Sequence, residues 1–255
     1  MNLAISFRSE LFKTKRTAAF YLCLLVAAVI PVIFLIDILT DSGAPLRLQK
    51  DPWNLYAAKG FEILAIMFLP LFAILLTTLQ MQIEFRNNTW KQVYASPQTF
   101  FHIATAKMLV LHVLVLFFLL TTNVFLFSVL LIGGVTLPQL QLFSHNLDWG
   151  MLARLNMNSF VLVMGIISVQ FFLSMRFRNF IVPLGIGFAL WFVGAMLGFE
   201  MNWKHIDKFP HAFTMLQMSK RFPQIEQGLR WWSVGYAVLF FAIALLDLRW
   251  KRSKT

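Results

Sequence analysis

Charged residues are scarce in this sequence. Only 13% of its 255 residues are Asp, Glu, Lys or Arg, against roughly 25% in an ordinary soluble domain. Hydrophobic residues make up 59% of the chain, 28 of them Phe, and the mean hydropathy is +0.71. A soluble domain of this size leaves much of its surface wet and cannot hide so much apolar area. The composition therefore argues against a water-soluble fold.

Cysteine and the common catalytic motifs are also missing or nearly so. The one cysteine, Cys23, lies in an apolar run, which excludes a disulfide framework and a cysteine metal cluster. No G-x-x-x-x-G-K-[ST], H-E-x-x-H or G-x-S-x-G motif occurs, so the chain has no P-loop and no such hydrolase signature. His205 and His211 are six residues apart, on different faces of a helix, so they do not form a metal pair. We expect no catalytic residue, metal or cofactor in this chain.

Acidic residues are few, 11 against 22 Lys and Arg. Carboxylates inside a membrane mark proton or ion pathways, but here they lie near the ends of apolar runs: Asp37, Glu62, Glu84 and Asp247. This pattern argues against ion-coupled transport, with a functional Asp37/Glu62 pair as the alternative reading. The formal net charge of +11 has two explanations, nucleic acid or an anionic membrane surface.

Long apolar runs dominate the remainder. About 20 apolar residues cross a bilayer as a helix, and six runs meet this length with almost no internal charge. The prediction is an all-α integral membrane protein, a single polytopic transmembrane domain over residues 1–255. The expected spans are Ala18–Ile38, Phe61–Ile83, Thr105–Ile132, Leu155–Ser174, Phe180–Phe199 and Trp231–Leu248.

The basic residues predict an orientation for these spans. With the N-terminus in the cytoplasm, 13 of the 22 Lys and Arg lie on the cytoplasmic side with only three acids. This asymmetry is the usual signature of cytoplasmic loops, and it accounts for the net charge without nucleic acid. Both termini are then cytoplasmic, as six spans require.

Residues 1–16 form a separate segment before the first span. Leu3, Phe7 and Leu11 recur every four residues, while Arg8, Lys13 and Lys15 point elsewhere. The pattern predicts an amphipathic helix lying on the inner membrane surface. The alternative is a solvated basic tail.

The connection between the second and third spans, EFRNNTWKQVYASPQTFFHIATAK (Glu84–Lys107), is polar and free of glycine. Asn88 or Thr89 is suited to cap a short helix, which Ser96-Pro97 then ends. Trp90 and Tyr94 fall on one face of that helix. A short helix of this kind fits a groove on a cytoplasmic partner, whereas the plain alternative is a solvated loop with interfacial aromatics.

These features resemble the membrane subunits of type-2 ATP-binding-cassette exporters, most closely the lantibiotic-immunity and bacitracin-export permeases. The resemblance rests on SELFKTKRT (Ser9–Thr17), on the Glu84–Lys107 segment with its Thr-Trp-Lys and proline, and on the six-span layout. Many such permeases carry glycine where this chain has Asn88. It implies a bacterial cytoplasmic-membrane protein that exports a hydrophobic or amphipathic substrate, such as an antimicrobial peptide or lipid-like molecule.

The resemblance also implies partners and site residues. A separate ATPase subunit would bind ATP, and a second permease chain, identical or related, would complete the transporter. The ATPase would dock on a coupling helix and on the N-terminal helix through the following residues: Glu84, Arg86, Asn88, Thr89, Trp90, Lys91, Tyr94 and Pro97, with Phe7, Glu10, Leu11 and Lys13. The alternatives are an integral-membrane lipid-modifying enzyme, which would need clustered His, Asp or Glu, and a membrane scaffold or sensor without transport.

Overall fold

The computed structural model of the protein describes residues 3–15, 17–40, 51–86, 99–201, 203–219 and 221–252. Within these ranges the backbone is mostly helical and contains no strand. Six of the helices are long and apolar enough to cross a membrane, which confirms the predicted all-helical membrane fold.

We number the helices in chain order. The helix α1 covers Leu3–Thr14 and α2 covers Ala18–Thr40. The helix α3 joins Pro52–Ile63, a π-helical turn over Leu64–Phe68, and Leu69–Arg86. It is followed by α4 (Phe100–Thr136), α5 (Trp149–Arg176), and α6 (Ile181–Ala195), which continues into a second π-helical turn, Met196–Glu200. The short helix α7 (Phe213–Leu216) and the long α8 (Phe222–Arg252) end the described chain.

Five of the six spanning helices extend beyond the apolar runs from which they were predicted, and the fifth span, Ile181–Glu200, matches its predicted run within one residue at each end. The largest is α4, with 37 residues, or about 55 Å at 1.5 Å per residue. A bilayer core is about 30 Å thick, so α4 either tilts or projects from the membrane. At its start, Thr99 caps the helix by accepting a hydrogen bond from the backbone N–H of His102, which explains why α4 begins in polar sequence.

Polar contacts define the two ends of the bundle. At one end, Arg176 pairs with Asp247 (3.1 Å), and Gln82 donates to the Arg178 carbonyl. We call this the α1 end. At the other, the Trp53 indole donates to the Leu142 carbonyl (3.0 Å), and we call this the loop end. The helices thus alternate in direction.

The helix α5 is the hub of the bundle, although only the last span has a lower hydropathy. The polar residues that dilute it bind its neighbours. Asn156 accepts from Asn123 of α4 (2.8 Å), and Asn158 accepts from Arg230 of α8 (2.9 Å). Between helices in lipid, where apolar contact gives little preference for a neighbour, such hydrogen bonds select partners.

The centre of the bundle joins α3, α5 and α6 through Gln170. Its amide donates to the Thr78 hydroxyl and to the Pro183 carbonyl, both at 2.8 Å. Gly187 allows α6 to approach this amide, because a Cβ at that position would lie 2.4 Å from Gln170 Oε1 and 2.7 Å from Ile74. Two residues earlier, a Cβ added to Gly185 would have no neighbouring atom within 4 Å.

The last connection folds back onto the bundle at the loop end. It contains helical turns at Ile206–Lys208 and Pro210–Ala212, followed by α7. His211 is buried in this cap, and burial lowers its pKa to about 4. The imidazole is therefore neutral at physiological pH.

The contrast between the two glycines of α6 gives a test of this packing. Gly187→Ala should destabilise the protein by about 1–3 kcal/mol, because the new methyl group overlaps a hydrogen-bonded amide. Gly185→Ala should be neutral or stabilising by up to about 1 kcal/mol, since alanine favours helix. Thermal unfolding of the detergent-solubilised variants measures both, and equal unfolding temperatures would contradict the packing described for Gly187.

Candidate functional site

Four charged side chains form an ion cluster at the α1 end, in which Glu10, Glu84 and Lys107 are buried and Lys13 is 38% exposed. Lys107 of α4 lies at the centre: its ammonium is 2.7 Å from Glu10 of α1 and 2.5 Å from Glu84 of α3. Lys13 of α1 contacts the same two carboxylates, at 2.6 Å and 3.3 Å. Two formal positive and two formal negative charges thus balance. The ion cluster ties α1 to the adjoining ends of two spanning helices.

The polar face of α1 makes this cluster. Ser6, Glu10 and Thr14 recur every four residues and are all buried. The Thr14 hydroxyl donates to the Glu10 carbonyl (3.0 Å) and accepts from Gln80 of α3 (2.9 Å). A helix with this spacing presents one stripe to its neighbour, so α1 meets the bundle through polar and ionic contacts.

Electrostatics favour the charged forms of the two α1 members. Burial alone would raise the pKa of Glu10, but attraction and hydrogen bonding to Lys107 and Lys13 outweigh it and lower the pKa below 4.5. Burial would likewise lower the pKa of Lys13, whereas hydrogen bonding and attraction to Glu10, then Glu84, raise it above 10.5. Both groups are therefore ionised throughout the neutral range.

The ion cluster closes the connection between the second and third spans. Glu84 and Lys107 are 23 positions apart in sequence and bracket residues 87–98. Of the predicted docking residues, Arg86 ends α3. The others in the segment lie outside the described residues: Asn88, Thr89, Trp90, Lys91, Tyr94 and Pro97.

The predicted residues of α1 divide between two surroundings. Phe7 and Leu11 are partly buried and pack against the core, while Glu10 and Lys13 join the ion cluster. Phe12 is 54% exposed, and Arg8 and Lys15 approach its ring at 5.5 Å and 5.1 Å. An exposed aromatic among basic side chains suits a membrane interface, and the interfacial placement of α1 stays a prediction.

Two features of the ion cluster go beyond the sequence reading. The side chain of Glu84 is 1% exposed and pairs within the chain, so its contact with an ATPase stays a prediction. Lys107 is a member of the cluster that sequence reasoning did not single out as a site residue. Its signal is its position, since a lysine entering an apolar run such as HIATAKMLVL needs a carboxylate partner.

Other residue clusters add no metal site. Within the described ranges, no three His, Cys, Asp or Glu side chains are grouped as metal ligands. His211 lies in the loop-end cap, and Glu62 pairs with Lys59 at 2.7 Å.

Comparison with known families assigns this arrangement. The family described as "ABC-2 family transporter protein" matches residues 6–194, a range that holds every member of the ion cluster and most of the first five spans. The chain belongs to the ABC-2 transporter family. No curated protein matches it in sequence.

Family membership gives the ion cluster its context. The protein is a multi-pass membrane permease and a component of a transporter, rather than an enzyme. ABC-2 membership implies partnership with an ATP-binding-cassette ATPase subunit. The ion cluster joins α3 and α4 on either side of residues 87–98. A movement of that connection would therefore be transmitted to both helices.

Removing the central lysine tests the ion cluster. Lys107→Met leaves two buried carboxylates with one lysine, and breaking a buried ion pair in this way costs about 3–5 kcal/mol. We expect a large fall in the thermal unfolding temperature of the purified protein. Lys107→Met with Glu84→Gln should recover part of it, because the cluster is again neutral.

The matched control is the exposed pair Lys59–Glu62, whose side chains are 64% and 42% exposed. Lys59→Met should cost no more than about 1 kcal/mol. A Lys107→Met protein as stable as Lys59→Met would show that the ion cluster does not hold the bundle together.

The pKa directions predict how α1 responds to pH. Stabilisation from Glu10, with its lowered pKa, is present above pH 4.5 and is lost as pH falls through the lowered value. Stabilisation from Lys13, with its raised pKa, is present below pH 10.5 and is lost above the raised value. A spin label on Ser9→Cys, an exposed site on α1, should stay immobile between these limits and become mobile in stronger acid. Release of α1 near neutral pH would contradict the assignment.

Proposed function

We propose that the chain is the permease subunit of an ATP-driven exporter that moves a hydrophobic or amphipathic substrate out of the cell or the membrane. A separate ATPase subunit supplies the energy, in keeping with the absence of a P-loop from this sequence. The observation that carries the proposal is the ion cluster joining α1, α3 and α4 at both ends of the 87–98 connection.

The ion cluster supports a mechanical route from the ATPase to the spans. Residues 87–98 are the proposed coupling segment, docking through Thr89, Trp90, Lys91 and Tyr94. Displacement of this segment would act directly on Glu84 and Lys107, which are paired to each other and to α1. Nucleotide binding drives transport only if it favours one arrangement of the spans over another, and the ion cluster would transmit a displacement of the docked segment to the spans.

Charge distribution supports a cytoplasmic location for the α1 end. The end that carries α1 also carries Arg176, Arg178 and the basic C-terminal residues, as expected for a side facing anionic lipid in a cytoplasmic membrane. Both termini are then cytoplasmic. The bacterial lantibiotic-immunity and bacitracin-export permeases remain the proposed subfamily, on the N-terminal and Glu84–Lys107 segments.

A second permease chain, identical or related, completes the proposed transporter. Large apolar residues on α6 and α8 are exposed in the single chain, among them Phe188, Phe192, Val238 and Leu246. Such surfaces face either lipid or another transmembrane subunit.

Co-purification tests the proposal. Tagged protein extracted from its native membrane in mild detergent should carry an ATPase subunit, identified by its P-loop sequence, and the complex should hydrolyse ATP. Trp90→Ala and Lys91→Glu should each lower ATPase recovery severalfold, because they remove an aromatic anchor and reverse a charge at the proposed interface.

Arg154→Glu, a charge reversal at the loop end, is the control and should leave recovery unchanged. If an ATPase co-purifies equally with all variants, the proposed transporter function stands but the docking site lies elsewhere. Recovery of no ATPase with the wild-type protein would overturn the proposed function.

A further inference from the structure

A cleft opens near the loop end between α3, α6 and the last connection. It has two adjoining parts that are equally open: one of about 280 Å³ beside α3, which we call the inner chamber, and one of about 210 Å³ beside Lys204 and Arg221, which we call the mouth. Gly198, Ile206, Leu216 and Ser219 line both parts, so the two parts are direct neighbours. Small-molecule sites in proteins typically measure about 300–1,000 Å³, and the cleft falls in that range.

Both π-helical turns of the protein's described residues meet at this cleft. Ile66 belongs to the turn in α3, while Gly198 and Phe199 belong to the turn in α6. The Trp191 indole of α6 donates to the Ile66 carbonyl (3.1 Å). This hydrogen bond holds the π-helical turn of α3 against α6. Single π-helical turns are rare and occur frequently at functional sites, so their convergence on one cavity points to a ligand.

The inner chamber is suited to a hydrocarbon chain. Ile66, Phe199, Met215 and Met218 supply apolar walls, and methionine adapts to flexible apolar partners. The one acid there, Glu62, already pairs with Lys59 at 2.7 Å. Its charge is therefore compensated before any ligand enters.

The mouth differs from the inner chamber in carrying basic side chains. Lys204 and Arg221 line it together with Asp207, and both basic side chains belong to exposed residues. Neither has an ion-pair partner among the described residues. Two cations with no ion-pair partner in the described part of the chain, beside a chamber with apolar walls, complement an amphiphile with an acidic headgroup.

We propose that this cleft binds an anionic amphiphile of the alkyl-phosphate type, with the hydrocarbon chain between the two π-helical turns and the phosphate at Lys204 and Arg221. The binding site follows from the geometry of this chain alone. That the site binds a transported substrate rests on the proposed function. It narrows the proposed hydrophobic or amphipathic substrates to acidic amphiphiles.

Photolabelling of the full chain tests the site without any ATPase, so its outcome is independent of the co-purification test. The protein is reconstituted in nanodiscs of phosphatidylcholine, which has no net charge, and exposed to dodecyl phosphate with a diazirine at the chain end. We expect the label to map to peptides that contain Phe199, Met215 or Met218.

Competition on the wild-type protein separates the chemical sources of binding. Unlabelled dodecyl phosphate should abolish labelling, whereas inorganic phosphate and dodecyltrimethylammonium at the same concentration should not. Full competition by inorganic phosphate would show a free-phosphate site, and equal competition by the ammonium compound would show a site governed by Glu62. Either result would overturn the proposal.

Two pairs of variants locate the site. Gly198→Leu should fill the cleft, since a Cβ there meets only Ile206 at 3.7 Å, whereas Gly228→Leu on α8 enters open space and should have no effect. Lys204→Glu with Arg221→Glu should lower labelling by about tenfold or more, equivalent to about 1.4 kcal/mol, and Arg154→Glu should not. Labelling unchanged by both cleft variants, or mapped to another part of the chain, would overturn the site.

Discussion

The structure depends on the high free-energy cost of placing a charge away from water. Lys107 has a side chain only 1% exposed, and an isolated ammonium in such a position would be strongly unfavourable. Its two carboxylate partners come from different helices, so satisfying one lysine requires α1, α3 and α4 to meet at one place. The pairing of Lys13 with the same carboxylates balances the charge and extends the contact along α1. A local electrostatic requirement thus fixes the arrangement of three helices.

Elsewhere in the bundle, hydrogen bonds between polar side chains and neighbouring helices have a similar effect at lower cost. Gln170 connects α5 to α3 and α6, and the Ser233 hydroxyl of α8 accepts from the backbone N–H of Gly165 in α5 (3.0 Å). Small residues such as Gly165 and Gly187 let these groups approach. Because lipid and side chains are equally apolar, such pairs, with close packing, decide which helices are neighbours.

The six spans could be predicted from sequence because hydropathy and length act locally along the chain. The pairs of residues that are distant in sequence but in contact in the fold could not be predicted in this way. Glu10 and Lys107 are 97 positions apart, and a single lysine near the end of an apolar run reads equally well as an interfacial residue. The buried stripe of α1 was hidden for a related reason, since its apolar residues suggested a membrane-facing helix and Ser6, Glu10 and Thr14 carry no hydrophobic signal. The π-helical turns at Leu64–Phe68 and Met196–Glu200 have no sequence signature, so the cleft between them required the three-dimensional structure.

The contacts of α3 and α4 at their two ends have a mechanical consequence. At the α1 end, Glu84 pairs with Lys107. At the loop end, the Leu142 carbonyl just beyond α4 accepts from Trp53 of α3, and the Leu142 side chain packs so closely on Gly134 that an added Cβ would lie 2.5 Å from it. Because contacts join α3 and α4 at both ends, the two helices cannot pivot about their midpoints without breaking one of these contacts. Any movement that separates α3 from α4 must therefore break the ion cluster at one end or the Trp53 hydrogen bond at the other.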